Sequence, residues 1–589
     1  MGIKIMEETR EDVFSYIKRE ETEFQTHGVP VIDGWEFSMH EHIRRSILYK
    51  YGQLWGRTKT DDDPVENIIL PILNVAYRLE DIEVKQITPY VNSDKDSHKS
   101  LFVKKFHDRW ARKNEVDTFF DKVKTEWIDF GLGLVKKSKK PEHVPLQRLA
   151  FCDQTDILSL PICEKHQFTP EQLNGMKGRW DADAIDEVIV LSREEKSQQQ
   201  VKATKQKTPG RYIEVYELHG VFPEDWNPQI KNPDPDKFSP QIHVITYYRT
   251  KDLKDKGIAL YQGADRNEVY DAIKRDEIYG RACGYGAIEE LFEPQVWHTY
   301  SRIQMKEMLD TAALMIVKTT DAGLAKRQKI TNLEKGEMLE VEDGKDASQL
   351  IIQPINWQVF DKWREDMKLA AQTQGSANDP QLGVEPKSGT PFALQRLTTV
   401  QGQGIHEYRR GIFSAFIEKL YRKWFLGQMV AEMNRGDKWI EEFSLEEIKW
   451  IADKVSQNQG EIKKKNIILS GKIVRQAEID EYKETIKQQI LGRDKISIEL
   501  IKDELKDIPI DVKVDVAGKQ KNLTGEIDKI IMLIQTIIST RGAILETPGM
   551  EKLLNQVIEY LGLDPIDFSS QRQMPREVPQ ATPQLAPAV

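Results

Sequence analysis

The sequence predicts an α+β fold, predominantly helical. Two observations decide the class. Long segments carry apolar residues at helical spacing between capping signals, among them 357–374 and the run 392–426. Amid them stand two β-branched and aromatic segments, 211–220 and 241–250, whose proline-rich connection suits an antiparallel strand pair. A chain of 589 residues can bury a large core and usually holds more than one folding unit.

The elements follow in order. Ser38 and Glu41 have capping-box spacing before a helix that runs toward Trp55, and the acidic break Thr60 to Pro64 ends it. Residues 66–85 form a second apolar run. Residues 99–130 read as two amphipathic helices whose aromatics (Phe102, Phe106, Trp110, Phe119, Phe120, Trp127) form a core stripe. Gly131 and Gly133 end that pair, and LGLVKK starts a strand. Thr169, Pro170 and Gln172 mark a helix start with a capping box. The polar run 192–210 reads as a surface loop or flexible insert. Helix returns near Gly286, a charged segment with a strand-like LIIQPI spans 319–356, and 357–374 is helix again, roughly 27 Å long.

A polar loop with two prolines and three glycines, 375–390, breaks that helix, and Pro391 opens a run of about 50 Å if continuous. Gly402 and Gly404 interrupt it, either as a kink, which we favour, or as a junction of two helices. Arg396, Arg409, Arg410, Lys419, Arg422 and Lys423 there face only Glu407 and Glu418. They read as contacts to DNA or to a neighbouring subunit or, far from the loop, as salt bridges on a solvated face. In the C-terminal part Ile508, Ile510, Val512, Val514 and Val516 alternate as a strand, and AGKQKN supplies the turn of a strand pair. A last short helix lies between Thr547 and Gly562, and 569–589 reads as a disordered tail.

Composition narrows the function. The net charge is −10 and the isoelectric point about 5.8, which argues against a tight static DNA binder and permits a channel through which DNA slides. Charged residues make up 31% and the mean hydropathy is −0.56, the mark of a soluble protein, and no run reaches eighteen apolar residues. The first fourteen residues lack a signal-peptide core. Three cysteines fit a reducing compartment with no disulfide framework. No phosphate loop, dinucleotide fingerprint, H-E-x-x-H or G-x-S-x-G occurs, so no catalytic residue and no cofactor is expected. Cys152, Asp153, Asp156, Cys163 and His166 lack zinc-site spacing, and Asp61 to Asp63 read as a solvated loop rather than a weak Ca²⁺ site, so no metal is expected either. Lys387 is the best single candidate for a phosphate contact.

The order and lengths of these parts resemble podovirus-type portal (head-to-tail connector) proteins of tailed phages. The likeness rests on FCDQTDILSLPICEKHQFTPEQL before the β pair, on RACGYGAIEELFEPQ leading into a first stem helix, and on the loop and long helix after 374. It covers about residues 35–565. By that resemblance, 1–286 is an N-terminal arm and mixed wing, 287–317 the first stem helix, 318–356 the clip and 357–374 the second stem helix. The tunnel loop is then 375–390, the long wing helix and wing 391–475, the helical crown 476–568 and the tail 569–589. The tunnel loop would present Gly375, Ser376, Asn378, Asp379, Gln381, Lys387 and Ser388 to the DNA channel. The clip would offer Lys335, Glu337, Glu340, Glu342, Asp343 and Lys345 for docking.

The resemblance implies a homo-oligomeric ring of about twelve subunits at one capsid vertex, made in the host cytoplasm and built into the virion. Double-stranded DNA would pass through it during packaging and ejection. Its partners would be the terminase large subunit, then the tail adaptor, with the major capsid protein and a scaffold, and no membrane. Two other classes compete: an intracellular nucleic-acid-processing α+β enzyme with a non-motif site, and a virion-internal structural protein.

Overall fold

The computed structural model describes residues 2–53, 65–91, 97–138, 140–199, 212–234, 236–249, 255–265, 268–313, 316–319, 347–350, 357–383, 392–435, 445–470, 475–491 and 510–514. Helices and small antiparallel sheets alternate, as an α+β class requires. The chain divides into two compact units: Met1–Asp81 with Asp117–Phe416, and Ile82–Val116 with Ile417–Val589.

The first unit opens with α1 (Gly2–Thr26), the hairpin β1–β2 (Val29–Ile32, Trp35–Phe37), α2 (Met39–Lys50) and α3 (Ile69–Leu79). Ser38 caps α2 by accepting from the Glu41 amide at 3.3 Å, while Glu41 turns to Arg45 at 2.8 Å, so half of the expected box forms.

The unit's largest sheet has the order β10-β9-β8-β7-β6 and is antiparallel throughout. Its strands are β6 (Leu149–Phe151), β7 (Ile162–Phe168), β8 (Ile213–Pro223), β9 (Phe238–Arg249) and β10 (Asp255–Ala264). The pair expected at 211–220 and 241–250 is its centre, β8 and β9. One face takes Val13, Phe14 and Ile17 of α1 against Tyr216, Leu218 and Ile245. Gly257 lets α1 approach, because a Cβ there would lie 2.7 Å from Phe14. The other face carries α6 (Pro170–Asn174) and α7 (Ala182–Gln199), whose Leu173, Ile185 and Val188 cover Val215, Val244 and Leu260. Thr169 and Gln172 make both bonds of the predicted capping box. The polar run from Ser192 is not loop at its start: α7 continues to Gln199, since Arg, Glu, Lys and Gln hold a helix as well as they fill a linker.

Helix α5 (Val116–Phe130) leads into β4 (Leu132–Lys137), which joins β5 (Pro141–His143) and β11 (Tyr270–Lys274) in the order β11-β4-β5. Gly131, at φ +77°, accepts from the amides of Arg275 and Gly284 at 3.0 and 3.2 Å. A Cβ at Gly131 would meet the Gly284 oxygen at 2.3 Å, so glycine alone permits this crossing. The crossing fixes where α8 (Ala287–Glu290) and α9 (Phe292–Ala313) start, near the expected Gly286. Then come β12 (Ile316–Thr319), β13 (Ala347–Leu350), α10 (Trp357–Gln374) and α11 (Phe392–Leu420).

In the second unit α11 passes through a π-turn, Tyr421–Phe425, into α12 (Leu426–Arg435). Also there are β3 (Ile87–Val91), α4 (Ser97–Lys113), α13 (Leu445–Leu469), α14 (Gln476–Leu491) and β14 (Ile510–Val514). Among the described residues β14 pairs with β3, antiparallel, with Val512 opposite Pro89. The expected AGKQKN turn and the strand after it lie outside the described residues. The expected aromatic stripe of 99–130 also divides. Trp110 of α4 meets Phe425 edge-on at 5.9 Å in the second unit, whereas Trp127 of α5 stacks on Phe413 at 5.2 Å in the first. The acidic break at 60–64, the last helix and the C-terminal tail lie outside the described residues.

Candidate functional site: a helix pair, its strand ribbon and the turn beyond

Helices α9 and α10 pack together and are joined through β12 and β13, which pair antiparallel with Ile316 opposite Leu350. Glu66, just before α3, ties them: its Oε1 accepts from Lys368 of α10 at 2.9 Å, and its Oε2 from His298 at 3.1 Å and from Arg302, both of α9. Burial alone would raise the Glu66 carboxyl. The bonds from Lys368 and His298, with the Lys368 and Arg302 charges, outweigh it and bring the pKa to about 2. Burial lowers His298. Gln295 adds a second tie, accepting from the Ile68 amide and donating to the Glu66 carbonyl, both at 2.9 Å.

The outer surfaces of the pair are unusually apolar for exposed helices. Trp297, Tyr300 and Leu309 of α9 and Val359, Trp363 and Leu369 of α10 are each roughly half exposed. On the same surfaces lie Lys362, Glu365, Asp366 and Lys368.

After α10 the expectation was a flexible polar loop. Its first half is instead a stack of hydrogen-bonded turns. The amides of Gly375 and Ala377 donate to Ala371 and Gln372, each at 2.9 Å, and the amides of Gln381 and Leu382 close on Asn378. The Gln381 side chain accepts from the Asn378 amide at 2.9 Å, and its carbonyl accepts from Arg78 at 2.9 Å. Gly375 rests on α3 so closely that a Cβ would sit 2.3 Å from Ile72. Gly375 and Gln381 are buried, Ser376 (φ +49°) and Asn378 are half-buried, and Asp379 is exposed. The helix ends at Gln374 as expected, and asparagine and glutamine side chains here serve the turns of the loop as well as solvent. Lys387 and Ser388 lie outside the described residues, as do Lys335, Glu337, Glu340, Glu342, Asp343 and Lys345.

Helix α11 is helical through Gly402 and Gly404, so no junction of two helices falls there; the break in regular hydrogen bonding comes at Tyr421–Phe425. Its basic residues are largely spoken for. Arg409 is buried and pairs with Asp276 at 2.7 Å and Glu290 at 3.4 Å. His406 reaches Glu80 at 2.9 Å, and Glu80 also accepts from Arg275 at 2.7 Å. Arg422 pairs with Asp511 at 2.8 Å. Glu66, Glu80 and Asp276 were not foreseen as partners, and no local pattern announces them: each pairs with a residue more than a hundred positions away.

A second polar cluster tests the enzyme reading. Glu164 and Glu217 stand opposite one another on β7 and β8, an unfavourable register for like charges. Lys136 of β4 inserts between them, 2.7 Å from Glu164 and 3.0 Å from Glu217. His166 lies 2.9 Å and His219 3.1 Å from Glu217, and His219 reaches Asp265 at 2.7 Å. Tyr270 donates to Glu164 at 2.6 Å. Burial works against the His219 charge, but bonds to Asp265 and Glu217 raise its pKa to about 9. Glu164, His166 and Glu217 have the spacing of metal ligands, yet the Lys136 ammonium occupies the position of the cation. Each carboxylate of the cluster has a cationic or imidazole partner, and among the described residues no nucleophile stands beside a base there. Burial raises the thiols of Cys152, Cys163 and Cys283, which fits packing rather than ligation.

No family model matches the chain, and no curated protein does. Among solved structures, one described as the virion of a native gene transfer agent (GTA) particle covers 93% of this chain and 99% of its own, at 9% identity and a TM-score of 0.30. Another, the neck of an empty GTA particle computed with C6 symmetry, covers 68% and 96%, at 8% identity and a TM-score of 0.26. Likenesses that loose carry no functional argument. Among the described residues no helix is long and apolar enough to cross a membrane.

Proposed function

We propose that this chain is a portal subunit: a ring-forming, non-enzymatic component of a phage-like virion that lets double-stranded DNA pass at one capsid vertex. The observation that carries the reading is the succession of α9, the β12–β13 ribbon, α10, the pinned turn and the long helix α11. That succession suits a stem, a clip, a second stem helix, a tunnel loop and a wing helix. Half-exposed tryptophan, tyrosine and leucine on α9 and α10 support assembly, because a lone soluble chain gains nothing by exposing them. One patch meeting a different patch on the next copy closes a ring, here of about twelve copies. In this reading Lys335, Glu337, Glu340, Glu342, Asp343 and Lys345 serve the terminase large subunit and later the tail adaptor. Asp379, Lys387 and Ser388 face the DNA, with Gly375 and Gln381 as the loop's footing. The wing contacts the major capsid protein and a scaffold.

The test is negative-stain imaging with mass measurement on the purified full chain. A ring of about twelve copies with a central hole is expected. A compact monomer or dimer that stays so when capsid proteins are supplied overturns the reading.

A further inference from the structure

A cavity of about 180 Å³ opens in the first unit between the β1–β2 hairpin, α2 and α8. Trp35, Phe37 and Phe292 supply its aromatic lining, and Glu36, Glu41, Glu289, Arg45, Arg281 and His42 its polar lining. Most of these groups are already satisfied by one another. Arg281 is fully buried and binds Glu289 through both guanidinium nitrogens, at 3.0 and 2.6 Å, while its plane lies 4.7 Å from the Phe37 ring. Arg45 pairs with Glu41 at 2.8 Å and lies 5.7 Å from the Phe292 ring.

Three groups stand outside these pairs. The His42 side chain is 10% exposed, and its Nε2 lies 3.3 Å from the Phe130 carbonyl oxygen. A carbonyl can only accept, so Nε2 carries the hydrogen. Burial disfavours a charged ring, which leaves Nδ1 a bare acceptor. Nδ1 faces the Glu289 Oε2, another acceptor, 3.9 Å away. Two acceptors at that spacing cannot bond to each other; an N–H donor placed between them satisfies both. Glu36 has no ion-pair partner among the described residues and leaves the lining with one surplus negative charge, three carboxylates against two guanidiniums. Trp35 is 42% exposed, with no cation or ring against its face among the described residues.

We propose that this cavity is a binding site for a guanidinium or primary ammonium group, which donates to His42 Nδ1 and Glu289 Oε2, stacks on Trp35 and is balanced by Glu36. The inference stands on the cavity alone and does not require the portal reading. A metal ion is the poorer occupant, because the Arg281 guanidinium already lies 2.6 Å from the same Glu289 oxygen.

The experiment is calorimetric titration of the full chain with propylguanidinium, and with propylurea as its uncharged isostere. Saturable one-to-one binding of the guanidinium is expected, with none of the urea. Trp35→Ala and Glu36→Gln each weaken it about tenfold, as loss of a cation–aromatic contact or a balancing charge would. Both positions line the surface, so the variants fold; His42→Phe, at a buried position, is read only beside a matching thermal unfolding curve, and abolishes binding. The blocked peptide Gly-Arg-Gly separates the sources. Tighter binding than propylguanidinium means a site for a protein side chain, and weaker binding a site for a free small cation. No saturable binding, or binding that all three substitutions leave unchanged, overturns the proposal.

Discussion

Glu66 and Glu217 each gather three cationic or imidazole groups, and the two sites differ in how much water reaches them. Around Glu217 the side chains of Lys136, Glu164 and His219 are 7%, 4% and 4% exposed. Around Glu66 those of Arg302 and Lys368 are 31% and 47% exposed. The same ionic motif therefore means different things. In the sheet, His166 and Glu217 are about a fifth exposed, but Lys136, Glu164 and His219 hold their charge where water hardly reaches, so these three depend on one another. At the helix pair, His298 is buried but water and salt can replace either charged partner, Arg302 or Lys368, so the node guides geometry more than it stabilises.

Removing Lys136 breaks the buried cluster hardest. Lys136→Met leaves two carboxylates opposed in register, and urea unfolding of the variant should show a loss of about 3–5 kcal/mol. Adding Glu164→Gln to that variant should restore part of the loss, because the opposed charges are gone. Lys368→Met at the helix pair should cost less than about 1 kcal/mol in the same assay. Equal losses at the two sites would mean that burial is not what separates them.

A pH series sharpens the contrast. The folded-state pKa of His219, about 9, lies above its ordinary 6.5. Its stabilising contribution is therefore complete below about 6.5 and is lost as pH rises through about 9. The unfolding midpoint should fall across that window, and His219→Gln should flatten that limb. His243, buried and lowered to about 4, acts in the opposite sense: stability falls as pH drops from 6.5 toward 4. An alkaline limb unchanged in His219→Gln would assign it to another group.

How much of this could be read in advance depends on the range of the interaction. Thr169 with Gln172 and the helix 357–374 were legible, because each is decided within a few residues. The central strands β8 and β9 were legible for the same reason. The β3–β14 pair, the Glu66 node and the Lys136 cluster were not, since their members lie tens to hundreds of residues apart and the local sequence at each has no special signature. The loop after Gln374 was legible as a break in the helix, but its packing was not. Its composition is that of a solvated loop, but burial of Gly375 against Ile72 is a tertiary fact. The donor-seeking acceptors at His42 needed coordinates too: His42 lies in a charged helix segment, and only the Phe130 carbonyl fixes its tautomer.

The smallest expected effect lies at Glu66 itself. Its pKa of about 2 lies below the ordinary 4.5, so its contribution is present above about 4.5 and is lost as pH falls through about 2. Because Glu66 and its two charged partners, Arg302 and Lys368, are partly exposed, Glu66→Gln should change stability at neutral pH by less than about 1 kcal/mol. The informative readout is instead salt. Added salt should weaken the wild-type node and leave the Gln variant nearly indifferent, while the Lys136 cluster, shielded from ions, should respond to salt in neither background. A salt response at Lys136 as large as the one at Glu66 would show that water reaches the sheet cluster, and the distinction between the two sites would fall.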